Sequence, residues 1–143
     1  MTHFGILTMA ILLATGPLLT QESKDTGGAT LQGTWVMTTL NGQSAPEAGP
    51  QLTLTFAGDK YHQAVGGDVN ERGTFRVDSS KKPMTIDLTI VEGDDAGKTQ
   101  LGIIEVTGDT LRASLDRPGA GQRPTDFNLT EGVLVFAAKK TKP

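Results

Sequence analysis

The chain of 143 residues is long enough for one domain with a single hydrophobic core and offers no room for two. Its 13 basic and 16 acidic residues leave a formal net charge of −3, so we expect neither a nucleic-acid partner nor a surface drawn to anionic lipid. The chain contains no cysteine, which excludes disulfides, thiolate metal sites and a nucleophilic thiol. The sequence indicates no cofactor and no metal site.

The first 20 residues are predicted to be a signal peptide or a membrane anchor. The stretch 4–19 is apolar and uncharged, and a polar sequence follows at once. The run is short for a membrane span of about 20 residues, and Gly16-Pro17 would break a helix near its end. We therefore expect an exported protein, periplasmic or in the cell envelope, with membrane attachment only if this segment stays uncleaved. A packed cytoplasmic helix is the remaining alternative.

The composition after this segment predicts an all-β domain. Residues 21–30 are polar and rich in Gly and Thr, which predicts a linker, with the folded domain over residues 31–143. From Leu31 onward, short runs with alternating polar and apolar residues lie between turn residues, which is typical of β-strands. Eight strands are predicted, over residues 34–40, 51–56, 60–65, 73–77, 84–90, 99–106, 109–115 and 132–138. Eight antiparallel strands can close into a barrel whose interior is packed by side chains or holds one small ligand.

The first predicted strand carries Gly33-Thr34-Trp35, which resembles the G-x-W element of lipocalin-type barrels. The resemblance implies an eight-stranded lipocalin-like barrel in which Trp35 closes one end. It also implies that a basic side chain from the last strand covers the indole, here Lys139 or Lys140. Gly33 would let another part of the chain approach closely where the strand begins.

Three longer segments extend the resemblance over nearly the whole folded part. They are LQGTW (31–35), KKPMTIDLTIVEGDDAGKTQLGIIEVTGDTLR (81–112) and RPGAGQRPTDF (117–127). Together and in this order they resemble an uncharacterised lipocalin-like domain family that is abundant in planctomycete bacteria. The chain departs from that family at Ser114, where many members have cysteine, and at Ile104, where an aromatic residue is frequent. The resemblance implies a fold and carries no activity over.

Three motifs that could carry chemistry have simpler interpretations. The sequence GDDAGKT, residues 93–99, has the wrong glycine spacing for a phosphate-binding loop and precedes a strand, so a hairpin turn is expected. The carboxylates of Glu92, Asp94 and Asp95 lack the spacing of a calcium loop, and a solvated turn is expected. One histidine outside the first 20 residues, His62, gives little support for a zinc site or a catalytic relay.

Asp87 lies on the polar face of the predicted strand 84–90, with Thr85 and Thr89. If the apolar face fills the core, Asp87 points to solvent and pairs with a cation on a neighbouring strand, at a gain of about 0 to 1 kcal/mol. If the polar face lines the lumen instead, Asp87 paired with Arg112 would orient a polar ligand. The sequence leaves both alternatives open.

The loop before the last strand contains two Arg-Pro steps, at Arg117 and Arg123. Proline restricts the preceding residue to an extended conformation, which would hold both guanidinium groups in fixed directions. Such groups suit anion binding. They suit equally a latch from the loop to carboxylates such as Asp116 or Asp126, and this is the interpretation we favour. Phe127 is expected to anchor the loop on the barrel.

These observations support three hypotheses for function. The leading one is a non-enzymatic lipocalin-like domain of the cell envelope that binds a small apolar or amphipathic ligand, with Trp35, Asp87, Arg112 and Arg123 as candidate binding residues. The second is a structural or protein-binding barrel with a packed interior, which an aromatic content of only 5% favours. The third is a hydrolase or isomerase that uses Asp87 with an arginine partner. Gly33, Trp35 and Phe127 are expected to have structural roles.

Overall fold

The structure, a computed structural model, describes residues 26–141. The predicted signal segment and the first half of the predicted linker lie outside these residues. The described chain contains a short helix followed by strands: α1 (Thr26–Leu31), β1 (Gly33–Leu40), β2 (Gln43–Ser44), β3 (Leu52–Ala57), β4 (Lys60–Val65), β5 (Asp68–Asp78), β6 (Met84–Glu92), β7 (Thr99–Thr107), β8 (Thr110–Leu115) and β9 (Leu134–Lys140). Within residues 26–141, no helix is long and apolar enough to cross a bilayer.

The strands form a closed antiparallel barrel. From β3 to β9, each strand pairs with the next one along the chain. β1 pairs with β3 on one side and with β9 on the other, which closes the sheet. β2 only extends a hairpin at the end of β1, so eight strands form the wall. The predicted eight-stranded antiparallel barrel is confirmed, and its closure removes the open strand edges that promote aggregation.

Alternation along the strands places one set of apolar side chains inside the barrel. These side chains form one cluster, and each is at most 7% exposed: Leu31, Trp35, Met37, Leu54, Phe56, Tyr61, Val77, Ile86, Leu88, Ile104, Leu111, Ala113, Leu115, Phe136 and Ala138. Full burial of a large apolar side chain stabilises a fold by about 1.5–3 kcal/mol. The lumen is therefore a packed core.

Two glycines in the wall lie where strands approach each other closely. A Cβ atom at Gly73 would collide with the carbonyl oxygen of Thr89 and lie 2.7 Å from the ring of Tyr61. A Cβ atom at Gly102 would lie 2.6 Å from the carbonyl oxygen of Ser114. A side chain at either position would therefore force the neighbouring strand to shift, so both positions require glycine.

Trp35 is fully buried at the end of the barrel where β1 begins. Its Nε1 donates a hydrogen bond of 2.8 Å to the carbonyl oxygen of Leu31, and the Nζ of Lys140 lies 5.6 Å from the centre of the ring system. Gly33 has a φ of +115°, and a Cβ atom there would lie 3.2 Å from the Cε of Lys140. Glycine thus leaves room for the lysine side chain over the indole, as in the arrangement that the lipocalin resemblance implies.

Helix α1 lies where the composition predicts a linker. Its last residue, Leu31, is fully buried in the core cluster. The next residue, Gln32, ties this segment to the β3–β4 turn, because its side-chain amide accepts a hydrogen bond of 2.7 Å from the N–H of Gly58 and donates one of 2.9 Å to its carbonyl oxygen. A six-residue helix has little intrinsic stability, so these contacts with the barrel account for it.

Strand β5 begins at residue 68, whereas the sequence pattern predicts a strand only from residue 73. Gly66 and Gly67 have φ values of +60° and +88° and complete the turn by themselves. The residues that follow are mostly polar and mostly exposed, and they are extended because they pair with β4, from Val65 opposite Asp68 onward. Pairing within the sheet overrides the weak local preference of this segment.

Candidate functional site

The connection from β8 to β9, residues 116–133, runs along the outside of the barrel, and we call it the strap. The carboxylate of Asp116, which is only 3% exposed, holds its beginning. One of its oxygens accepts the N–H of Leu101 in β7, and the other accepts the N–H of Gln122 within the strap, both at 2.8 Å. Two backbone N–H groups thus bind this buried carboxylate, and these bonds keep the strap close to β7.

Arg123 fastens the middle of the strap to β6 and β7. Its Nη1 donates hydrogen bonds to the carbonyl oxygens of Ile86, at 3.1 Å, and Gly102, at 2.8 Å. Its Nη2 donates to the Oδ1 of Asp87 at 2.6 Å. The two side chains of this ion pair are 29% and 40% exposed, respectively. One guanidinium group therefore binds two main-chain carbonyls and a carboxylate, which uses the fixed fork of arginine.

These contacts correct two interpretations of the sequence. Asp87 lies on the outer wall, so the alternative in which it faces the lumen is wrong, and its partner is Arg123 rather than Arg112. The prediction that Arg123 fastens the loop to a carboxylate is confirmed. The carboxylate is that of Asp87, however, and not that of Asp116 or Asp126. The long connection returns along the wall past β7 to β6, and the linear sequence does not predict that path. The use of Asp87 as an enzyme residue stays a prediction.

Arg112 and Phe127 form a second contact between the wall and the strap. The Nε and Nη2 of Arg112 donate to the Oε2 of Glu105 in β7, at 3.3 and 2.8 Å. The Cζ of Arg112 lies 4.0 Å from the centre of the Phe127 ring, which is a cation–π distance. Glu105 thus orients the guanidinium group, and the guanidinium group holds the aromatic ring against the barrel, as an anchoring role for Phe127 requires.

A groove of about 600 Å³ lies beside this contact, and we call it the rim groove. It runs between the β5–β6 connection and the part of the strap around Phe127, with β7 and β8 beneath. Its apolar side chains are Pro83, Met84, Ile104, Val106 and Phe127, and its polar ones are Ser79, Lys81, Lys82, Glu105, Arg112, Thr125 and Asp126. Met84 and Val106 also pack against the core cluster, so the apolar side of the groove continues into the core.

The groove exists because the end of β7 extends beyond the start of β6, the strand that pairs with it. The last pair between the two strands is Met84 with Ile104, whereas β7 continues to Thr107. Pro83, just before β6, has no N–H with which to extend the ladder. Residues at the end of β7 therefore have no strand beside them on that side, and the space is bordered by the 79–83 connection and the strap.

The structure brings only one predicted binding residue, Arg112, into the rim groove, together with Phe127. Asp87 and Arg123 hold the strap, and Trp35 is buried in the core. Lys81 and Lys82 line the groove, although the sequence indicates only a bend at this position. Two adjacent lysines before a proline were the available signal, but nothing in the sequence places them opposite the strap.

Two further hollows lie on the described surface. One, of about 520 Å³, lies between the end of β1, β2 and the 45–51 loop. The other, of about 600 Å³, lies on the outer wall and is lined by polar residues that include Asp59, Arg76 and Asp87. Among residues 26–141, no group of three or more His, Asp or Glu side chains is close enough to hold a metal ion.

Tyr61 introduces a polar atom into the core. The residue is 3% exposed, and its hydroxyl group donates a hydrogen bond of 2.9 Å to the Oε1 of Glu71 in β5. Burial raises the pKa of Tyr61 well above its usual value, and the hydrogen bond to Glu71 and the charge of that carboxylate raise it further. The tyrosine is therefore a neutral donor that satisfies a carboxylate on the wall.

Comparison of the chain with protein-family models, with curated proteins and with solved structures finds no significant match in any of the three. A closed eight-stranded barrel is compatible with a lipocalin-like fold, but one fold hosts many unrelated functions. The geometry of the rim groove and the strap is therefore the basis of the function proposed below.

Proposed function

We propose that this protein is a lipocalin-like barrel that binds a small amphipathic molecule in the rim groove, on the outside of the barrel. The observation that carries the proposal is an apolar floor with a charged border in a space of about 600 Å³. Small-molecule sites typically have volumes of about 300–1,000 Å³, a mostly apolar lining and a few fixed polar groups. The rim groove has the volume and an apolar floor, and its polar border includes the fixed guanidinium group of Arg112.

The fixed geometry of the groove supports this proposal. Glu105 orients Arg112, and Arg112 lies against the ring of Phe127. Arg123 fastens the strap that carries Phe127 to the wall. A site whose walls are already ordered loses less conformational entropy when a ligand binds, so more of the contact energy appears as affinity.

We place the ligand outside the barrel because the core cluster packs its interior. Phe56, Ile86 and Leu88 are each at most 4% exposed and belong to the core cluster inside the barrel. The same observation favours the second candidate function, a structural or protein-binding barrel. The two candidates differ in one property, because a purely structural barrel has no saturable site for a small amphipathic molecule.

We also propose that the protein belongs to the lipocalin-like family named above and is exported to the cell envelope. The closed barrel and the arrangement of Gly33, Trp35 and Lys140 support the family. The apolar, uncharged stretch 4–19 supports export. Protein sequencing of the mature product would support cleavage if the chain began near residue 21, and an intact Met1 in a soluble cytoplasmic fraction would contradict export.

Nile red, a neutral fluorescent dye with an apolar body, tests for the site. We expect saturable binding of one dye per chain, with NMR chemical-shift changes confined to residues 79–84, 104–106, 112 and 125–127. Phe127→Ala removes one wall of the groove and should weaken binding about tenfold, which corresponds to roughly 1.4 kcal/mol.

Leu129→Ala is the matched control, because Leu129 lies in the same strap but is 55% exposed and does not line the groove. This variant should bind the dye as the wild type does. Circular dichroism of both variants checks that the barrel is intact. The proposal fails if wild-type protein shows no saturable binding, or if Phe127→Ala and Leu129→Ala bind equally well.

A further inference from the structure

We infer that the ligand of the rim groove carries an anionic headgroup, which Lys81 and Lys82 bind while its apolar part lies on Met84, Val106 and Phe127. This inference rests on the proposed function and names the class of ligand. A molecule of this class is a single-chain amphiphile with a carboxylate or a phosphate at one end. The charges around the groove carry the argument.

The two lysines are the ammonium groups of the groove, and both are exposed. Within residues 26–141, neither of them forms an ion pair, whereas Lys98, Arg72, Arg112 and Arg123 each do so. Lysine can lay its apolar stem along a surface while its ammonium group stays in water. The lysines can therefore meet a headgroup at the solvent side of the groove without breaking an existing contact.

The other charged groups of the groove are already engaged. Glu105 is paired with Arg112, whose guanidinium group also covers the Phe127 ring. The Oδ1 of Asp126 accepts the N–H of Asn128 at 3.0 Å. With Glu105 and Arg112 cancelling each other, two lysines face one carboxylate, so the groove is locally positive.

This local charge is opposite to that of the whole chain, which has a formal net charge of −3. A general attraction of anions to the protein surface is therefore not expected, and a preference for anions has to come from the groove itself. The apolar side chains lie on the opposite side of the groove from solvent, because Met84 and Val106 continue into the core. The groove thus has an apolar region and a separate cationic region. These match the apolar chain and the anionic headgroup of such an amphiphile.

Decanoate, decyl phosphate and decanol share one apolar chain and differ in the headgroup, so titration of each into the wild-type chain tests the inference. At low salt we expect at least one of the two anions to bind about three- to tenfold more tightly than decanol, because two exposed ion pairs contribute modestly. Added salt should weaken the binding of the anion and leave the binding of decanol unchanged. The anion that binds more tightly, decanoate or decyl phosphate, indicates whether the ligand carries a carboxylate or a phosphate.

The double variant Lys81→Gln/Lys82→Gln should reduce binding of the preferred anion to the level of decanol, with decanol affinity unchanged. The control Lys60→Gln/Lys139→Gln removes the same charge from exposed positions outside the groove and should have no effect. Equal affinity for all three compounds, or equal losses in both double variants, would overturn the inference and leave the proposed function intact. Absence of binding by all three compounds would overturn both.

Discussion

Tyr61 and Glu71 form a polar pair at the edge of the core cluster, whose other side chains are apolar. A buried hydroxyl group without a partner costs about 1–3 kcal/mol, and the hydrogen bond of 2.9 Å to Glu71 avoids that cost. The pairing works only while the tyrosine is neutral, because ionisation would place two negative charges side by side. Burial and Glu71 therefore favour the protonated form in the folded state, with the raised pKa of Tyr61 as the result.

The raised pKa of Tyr61 predicts a loss of stability at alkaline pH. The unfolded tyrosine releases its proton near a pKa of about 10, whereas the folded one retains it. Above about pH 10 the unfolded state binds fewer protons, so the free energy of unfolding should fall by up to about 1.4 kcal/mol per pH unit until the raised pKa is reached. Urea unfolding of wild type and Tyr61→Phe across this range measures the difference in slope.

Because Tyr61 is the only tyrosine, its ionisation can be followed directly by absorbance at the tyrosinate band. Folded protein should show no tyrosinate signal near pH 10, and the signal should appear together with unfolding. Lysines also titrate in this range, but they are common to both proteins and cancel in the comparison. Equal slopes for wild type and Tyr61→Phe, or early ionisation in the folded chain, would contradict the burial of this hydroxyl group.

The strap is the element on which the candidate site depends. It has no regular secondary structure, so its path is set by a few contacts rather than by a ladder of hydrogen bonds. Asp116 holds its beginning, Arg123 its middle, and Phe127 the part that borders the rim groove. Loss of one contact should therefore loosen the strap locally before it affects the barrel.

Arg123→Gln should release the strap. It removes the bonds to two carbonyl oxygens and to Asp87, and since the pair is partly exposed we expect a loss of about 1–2 kcal/mol in the free energy of unfolding. Hydrogen exchange within residues 117–128 should become faster, while β3 and β4 stay protected. Nile red binding should weaken as well, because Phe127 lies in the strap.

Arg76→Gln is the control for Arg123→Gln. Arg76 is exposed and lies opposite Asp87 in the β5–β6 ladder, so its removal changes the charge beside Asp87 without touching the strap. Its effect on exchange in the strap should be small. Asp87→Asn should have an intermediate effect, because the two carbonyl bonds of Arg123 remain. Equal exchange in wild type and Arg123→Gln would show that other contacts hold the strap.

At the scale of the whole molecule, residues 26–141 form one closed barrel around one core, so this domain should unfold in a single cooperative step. Trp35 lies where α1, β1 and β9 meet and buries roughly 150–250 Å². Trp35→Ala should lower the free energy of unfolding by about 3–5 kcal/mol, a large part of the 5–15 kcal/mol typical of a domain. Chemical unfolding followed by circular dichroism and by one-dimensional NMR should give coincident curves.

Trp35→Phe is a second, milder variant that tests the same position if Trp35→Ala does not fold. It keeps an aromatic ring in the core but loses the hydrogen bond to Leu31, so its loss should lie between wild type and Trp35→Ala. A Trp35→Ala protein within about 1 kcal/mol of wild type would show that the barrel end does not depend on the indole.

The sequence by itself determined the strands, the barrel and the position of Trp35. Alternation such as that of residues 84–90 places Ile86, Leu88 and Ile90 on one buried face, and glycine pairs such as Gly66-Gly67 mark the turns. These are local signals with a fixed period, and eight such strands have few ways to bury their apolar faces except by closing. The closing contacts between β1 and β9 then follow from the fold.

Only the tertiary structure decided which charges meet and where a groove forms. Arg123 pairs with Asp87 across 36 positions of sequence, and Lys81 and Phe127 line the same groove because the strap returns along the wall. A long connection without periodicity carries no local signal of its path, so neither pairing can be read from spacing. Likewise, Lys82 and Pro83 mark a bend in the sequence. This bend becomes one border of the groove because β7 extends beyond the start of β6.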